Sequence, residues 1–176
     1  ILSVAQDADG YIWLVTEKDG IYKSTENKIS PNLHFSLWEK SHKNNHYCLH
    51  KDRNGGLWFG DDKGNILWVN PTTGETVIHQ LNPETADSAV TASILKLYLN
   101  SQNHLWIATT QGSILQMDLN SEIMKDFSNS CGMTGQSILG MKHDRNTLWI
   151  LTNRQLTAYD IQSDRYIHYS NSDESV

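Results

Sequence analysis

Short apolar runs, each bounded by Gly, Asn, Asp or Ser, fill the chain from end to end. They are rich in Ile, Leu, Val, Trp and Tyr and no stretch holds a helical period, so the pattern predicts β-strands and almost no helix. The runs fall at 2–6, 11–16, 20–24 and 34–38, then 46–51, 56–60, 65–69 and 76–81. They continue at 94–99, 104–109, 113–118 and 123–127, and at 138–142, 147–152, 155–160 and 165–169. In the first run of each group the apolar side chains alternate, as Leu2/Val4, Tyr47/Leu49, Leu95/Leu97 and Leu139/Met141. Between them stand Ser3/Ala5, Cys48/His50, Lys96/Tyr98 and Gly140/Lys142. One face of each such strand is therefore expected to pack on bulky neighbours, and the other to meet something tighter or wetter.

The four groups are copies of one unit. Aligning Trp13, Trp58, Trp106 and Trp149 gives spacings of 45, 48 and 43 residues. Six positions before the Trp stands Asp7, Asp52 or Asn100; in the fourth copy Asp144 stands five before, as a one-residue deletion in the turn would place it. A Gly follows at 20, 64 and 112, where the next apolar run begins. Four short antiparallel strands repeated every 45 residues or so are the unit of a β-propeller, whose sheets bury their faces against one another. The expected fold is thus all-β, a propeller of four-stranded blades at about 1–45, 46–92, 93–136 and 137–171, with 1–176 as a single domain.

The stretch Asp7-Ala8-Asp9-Gly10-Tyr11-Ile12-Trp13 looks like a cation loop. Its counterparts "DRNG", "NSQN" and "DRNT" change the ligand set from copy to copy, which a turn tolerates and a metal site does not. An EF-hand would further require Gly at its sixth position and a distal Glu. Asp7, Asp52 and Asp144 are therefore read as turn caps, with Gly10 or its equivalent at positive φ. The four aligned tryptophans are read as core.

Charge narrows the classes of partner. The net charge is −6 with 19% charged residues, and no Lys/Arg stripe offers the positive surface that nucleic acid requires. No apolar run approaches the length of a bilayer span. Cys48 and Cys131 form neither a CxxC pair nor a disulfide framework, so free buried thiols are expected. The chain opens Ile-Leu-Ser-Val and reads as an excerpt, so the absence of a leader peptide carries no information on compartment.

The residues Leu2 to Lys23, with Asp7, Gly10, Trp13, Thr16, Gly20 and Tyr22 in place, resemble the two-component regulator propeller repeat. Copy two keeps Asp52, Gly55, Trp58 and Gly64; copy three keeps Trp106, Thr109 and Gly112; copy four keeps Asp144, Trp149, Thr152 and Tyr159. That family makes up the periplasmic sensor region of hybrid two-component system proteins of Gram-negative bacteria. The resemblance implies a seven-bladed ring of which about four blades are present. It also implies a neighbouring propeller, an immunoglobulin-like domain, an inner-membrane anchor, a histidine kinase, a homodimeric parent and an oligosaccharide ligand derived from polysaccharide. It implies no cofactor, no metal and no catalysis by this region.

Candidate chemistry is weighed against simpler roles. His46, Cys48 and His50 alternate on one strand with His42 nearby, but like-facing neighbours about 7 Å apart do not converge on one tetrahedral ion. Trp38 and Trp68 fall outside the repeat register and are candidates for stacking on a sugar ring or for packing at the blade edge. The loops between blades and the turns between second and third strands share one rim, with Lys40, His42, Lys43, Asn44, Asn45, Asp61, Asp62, Lys63, Asn153 and Arg154. The ligand-binding candidates are accordingly Trp38, Trp68, His42, Asn45, Asp61, Asp62 and Arg154; the long segment 82–93 is expected to be a mobile loop, and mobility often accompanies recognition. Two rivals stay open: a propeller scaffold for protein contacts, and a glycan-cleaving enzyme using the paired carboxylates Asp61/Asp62 or Glu17/Asp19.

Overall fold

A computed structural model describes residues 1–16, 19–38, 46–81, 92–132 and 136–170, with backbone alone at 46 and 47. Every regular element in it is a strand. The first sheet has the order β1 (Ser3–Gln6), β2 (Ile12–Thr16), β3 (Gly20–Ser24) and β4 (Phe35–Leu37). The second has β5 (His46–Lys51), β6 (Leu57–Asp61), β7 (Asn65–Val69) and β8 (Thr76–Gln80). The third contains β9 (Ile94–Leu99), β10 (His104–Thr109), β11 (Ile114–Asp118) and β12 (Met124–Asp126), and the fourth β13 (Ile138–Asp144), β14 (Thr147–Thr152), β15 (Leu156–Asp160) and β16 (Arg165–Tyr169). Each is a meander in which consecutive strands pair, and the strand ends fall within two residues of those expected from the apolar runs.

Two compact units divide the chain, Ile1–Leu97 and Tyr98–Val176, so the boundary lies within β9. Each unit has its own core. In the first, Trp13, Val15 and Ile21 of sheet one cluster with Leu57, Phe59, Leu67 and Val69 of sheet two. In the second, Trp106, Ala108 and Ile114 of sheet three cluster with Leu148, Ile150 and Tyr159 of sheet four. The same register positions meet in both: the Trp side of one sheet lies on the side of the next sheet that carries the residues flanking its own Trp. Burying one Trp side chain contributes on the order of 4–6 kcal/mol before entropy is counted.

Close approach explains Gly60. A Cβ there would stand 2.4 Å from Ile94 Cγ2 and 2.9 Å from Cys48 Sγ, so only Gly lets β6 lie this near β9.

The alternation expected of the first strands holds only in part. Leu49 and Met141 pack on the two cores, whereas Val4, at the equivalent position of sheet one, is 62% exposed, and Leu2 and Leu139 are exposed too. Trp149 departs from its expected core role in the same way. It is only half-buried, because it projects from the side of β14 opposite Leu148 and Ile150.

Candidate functional site

The turns that open each second strand are held by one carboxylate doing two jobs. Asp7 Oδ1 accepts the amides of Asp9 (3.1 Å) and Tyr11 (2.9 Å), while Oδ2 accepts the buried indole N–H of Trp13 at 2.7 Å. Asp52 repeats this: Oδ1 takes the amides of Asn54 (2.8 Å) and Gly56 (2.9 Å), and Oδ2 takes Trp58 Nε1 at 2.9 Å. Gly10 and Gly55 supply the left-handed residue (φ 91° and 88°). Lys23 sits 3.7 Å from Asp7 Oδ2 and over the Trp13 ring, so the first of these carboxylates also has a cation. These turns are latches between the hairpin and the core, and their acceptor atoms are already occupied.

Sheets three and four vary the device. Asn100 Oδ1 still accepts two amides, from Gln102 and His104 at 2.9 Å each, and Asn103 takes the left-handed place at φ 60°. Its second side-chain atom is an amide nitrogen, which cannot accept, and the buried Trp106 Nε1 has no hydrogen-bond partner. In sheet four the turn is one residue shorter, with Arg145 left-handed at φ 53° and Asp144 paired directly to Thr147. Asp144 is exposed, so the expectation that it caps the turn as Asp7 does is corrected by the deletion itself.

At the opposite ends of the strands, the turns between second and third strands are capped by Thr16, Asp61, Thr109 and Thr152. Thr16 Oγ1 accepts the Asp19 amide (3.1 Å), and Thr109 Oγ1 the Ser113 amide (3.2 Å). Asp61 is buried, with Oδ1 accepting the amides of Lys63 (2.9 Å) and Asn65 (2.7 Å) and Oδ2 the Asn65 side-chain amide (2.7 Å). Ser93 Oγ donates to the Asp62 carbonyl at 3.3 Å.

The second unit carries a polar network here. Thr152 Oγ1 accepts the amides of Arg154 and Gln155 (3.2 and 3.1 Å) and stands 3.1 Å from Gln136 Oε1. The next members are Gln155 Nε2, 2.9 Å from His168 Nδ1, and the fully buried Thr157, whose Oγ1 lies 2.8 Å from the same ring nitrogen. The Gln155 amide nitrogen only donates, so in this pairing Nδ1 accepts, and Nε2 is the other polar atom of the ring. That nitrogen faces Gly132, where an added Cβ would lie 3.1 Å away. Arg154 is exposed beside the network.

Comparison with solved structures follows from this geometry. The extracellular domain of BT3049, assigned to the hybrid two component systems of B. thetaiotaomicron, matches with TM-score 0.73 and 17% identity over 97% of this chain and 24% of that one. The extracellular domain of BT4673 from the same organism matches with TM-score 0.64 and 19% identity over 95% of this chain and 23% of that one. The WD40 repeats of RRP9 match with TM-score 0.70 and 11% identity over 97% of this chain and 51% of that one. The fold is a β-propeller segment. The chain spans about a quarter of the length of the extracellular domains and about half of the WD40 chain. No protein-family model matches it, and no curated protein matches it in sequence.

Within the propeller blades, the sequence-derived candidates separate. Trp38 continues β4, its amide donating to Ile21 O at 2.9 Å, and its ring packs edge-on against Trp13 with centroids 5.0 Å apart. Trp68 pairs across the sheet with Trp58, and its indole nitrogen covers Gly56. Both are half-buried packing partners of the repeat tryptophans. Asp61 ends β6 and Asp62 opens the turn after it, and Arg154 lies in the turn after β14. His42, Asn45, the rest of 39–45, Glu17 and 82–91 lie outside the described residues.

In the strand of His46, Cys48 and His50 the backbone of His46 pairs with Asp61 and that of Cys48 with Gly60, so the register slips between them, whereas Cys48 and His50 keep regular register opposite Gly60 and Trp58. Among the described residues no cluster of His, Cys, Asp or Glu could hold a metal ion. Both thiols are free and buried, and burial pushes Cys48 up to about 12, so it stays a neutral thiol. His50 is lowered by burial against the opposing pull of Asp52, and His143 is lowered by burial against that of Asp144. Tyr159 is raised by burial and by its hydrogen bond to Asp164.

Gln155, Thr157 and His168 are functional candidates that the sequence did not single out. Thr157 and His168 are paired across β15 and β16, and only the register between third and fourth strands brings them together. What they offer is a set of hydroxyl, amide and imidazole donors and acceptors, with one guanidinium at the edge.

Proposed function

We propose that this propeller segment belongs to the extracytoplasmic sensing region of a hybrid two-component receptor and that it helps to recognise an oligosaccharide derived from a polysaccharide. The observation that carries the reading is the likeness in fold, over at least 95% of the chain, to the extracellular domains of BT3049 and BT4673. The repeat motif around Trp13 and its copies points the same way. The rim at Gln136, Thr152, Arg154, Gln155 and His168 is where we place ligand contact: its groups match hydroxyl-rich ligands, which are bound through many neutral hydrogen bonds. The parent receptor is periplasmic, anchored in the inner membrane and homodimeric in this reading, with a neighbouring propeller, an immunoglobulin-like domain and a histidine kinase. This region binds and does not cleave. Signalling then requires that the ligand prefer one of two arrangements of the parent.

The WD40 likeness favours a second reading, a scaffold that binds protein on its rim. Thermal shift of the parent's extracytoplasmic region against a panel of polysaccharide-derived oligosaccharides, with the mixtures checked for cleavage, separates the two. The sensor predicts a selective shift without cleavage, abolished by Gln155→Ala or His168→Ala. Silence across the panel sinks the oligosaccharide reading in favour of the scaffold, and cleavage sinks the non-enzymatic one.

A further inference from the structure

We propose that His168 decides which end of the Gln155 carboxamide faces the rim. With Nδ1 of the ring bare, this position accepts a hydrogen bond from a ligand hydroxyl; with Nδ1 protonated, it donates one to a ligand carbonyl or carboxylate. The ligand half of this statement rests on the rim being the binding surface, and the amide half does not.

Three polar atoms converge where one lone pair is on offer. Gln155 Nε2 stands 2.9 Å from His168 Nδ1, Thr157 Oγ1 stands 2.8 Å from the same nitrogen, and Nε2 and Oγ1 are 3.4 Å apart. Strand register fixes the cluster. Thr157 lies opposite His168 on one neighbour and opposite Ile150 on the other, on the side of sheet four that joins the core of the second unit. Thr157 is fully buried, and its hydroxyl can donate or accept as its neighbours require.

A ring nitrogen accepts when bare and donates when it carries hydrogen, whereas a carboxamide has a donor at one end and an acceptor at the other. With Nδ1 bare, the amide nitrogen of Gln155 turns inward and donates, as in this structure. Among the described residues the bonds of this carboxamide are made by Nε2 alone, which leaves Oε1 as the end open to the rim. A proton on Nδ1 sets two donors 2.9 Å apart. Turning the carboxamide over relieves this: Oε1 then accepts from Nδ1, and Nε2 points to the rim, where Arg154 is exposed. The position changes from acceptor to donor, and the guanidinium favours the same anionic partner.

Imidazole suits the role because it is the side chain that changes charge between about pH 5 and 8. Around the ring, Tyr166 stands beside it on β16 with centroids 4.6 Å apart, and Gly132 faces Nε2 from the loop after β12. Burial pushes the adjoining Cys131 thiol up to about 12 and keeps it neutral. Asp164, in the turn before β16, takes the Tyr159 hydroxyl at 2.7 Å. Thr152 and Gln136 complete the rim side with uncharged groups, and Arg154 brings a positive charge.

Nitrogen NMR of the isotope-labelled full chain, with no ligand added, tests the switch between about pH 8 and about pH 5. At the alkaline end His168 Nδ1 should resonate as a bare accepting nitrogen, with one Gln155 side-chain N–H signal displaced downfield by its bond to the ring. As His168 gains its proton, that displacement should be lost with the same midpoint. His168→Asn keeps a polar atom near the place of Nδ1 but does not titrate; it should abolish the pH dependence of Gln155 while circular dichroism stays that of wild type. A ring still neutral at the acid end overturns the proposal, as does an Nδ1 that already carries hydrogen at the alkaline end. So do Gln155 signals that ignore the His168 titration, or that titrate unchanged in His168→Asn. Silence across the oligosaccharide panel would sink the rim reading and leave this measurement unaffected, because no ligand enters it.

Discussion

Trp13 and Trp106 occupy the same place in their blades and both are fully buried, yet only Trp13 has an acceptor for its indole N–H. The difference comes from a single atom. Asp7 offers a second carboxylate oxygen at the point where Asn100 offers an amide nitrogen. The turn itself is indifferent to the exchange, because Oδ1 of either residue accepts the same two amides. A buried donor left without a partner costs about 1–3 kcal/mol, so the third blade is held less well than the first by a comparable amount. Cap and latch are therefore separable functions of one side chain, and only the latch requires the acid.

The largest expected effect is from Asp52→Ala, which removes both functions at once. Two amides and the Trp58 indole lose their acceptor, and urea unfolding should show a loss of about 3 kcal/mol. Asp7→Asn should cost less, about 1–2 kcal/mol, because it converts blade one to the arrangement of blade three while keeping the cap. A similar loss for Asn and Ala at either Asp would erase the distinction between cap and latch. Replacing Trp by Phe sharpens it further. Trp13→Phe should cost about 1 kcal/mol more than Trp106→Phe, since both lose packing and only the first loses a hydrogen bond.

The smallest effect is one of pH. Burial holds His50 and His143 below their ordinary 6.5 in the folded chain, so the unfolded chain binds the extra proton more readily. Their contribution to stability is complete above about pH 6.5, falls as pH drops below it, and levels off beneath the folded value. His50→Gln should flatten part of that fall in a series of thermal melts; a stability that instead rises on acidification would reverse the assignment.

Much of the fold was legible because the repeat wrote it four times. Strand positions, the turn role of Asp7 and Asp52, the left-handed Asn103 and the absence of helix among the described residues all follow from local pattern. Trp149 did not follow, since its register fixes which side of the blade it occupies and burial depends on what lies against that side. Asp144 was misread because the deletion that placed it five before Trp149 also shortened the turn it would have capped. The polar network was hidden for another reason: Thr157 and His168 meet only through the register of β15 with β16, which the runs alone do not set. Trp38 and Trp68 break the repeat and so left two roles open, sugar stacking or packing at the blade edge; their half-buried rings fill space beside Trp13 and Trp58.

Asn100→Asp tests the latch most directly, because it adds an acceptor without altering the cap. Measured by urea unfolding against the parent chain, the variant should be more stable by about 1 kcal/mol, with Trp106 Nε1 newly bonded. An unchanged or lowered stability would contradict the account: the carboxylates of Asp7 and Asp52 would then be in place for something other than the tryptophans beneath them.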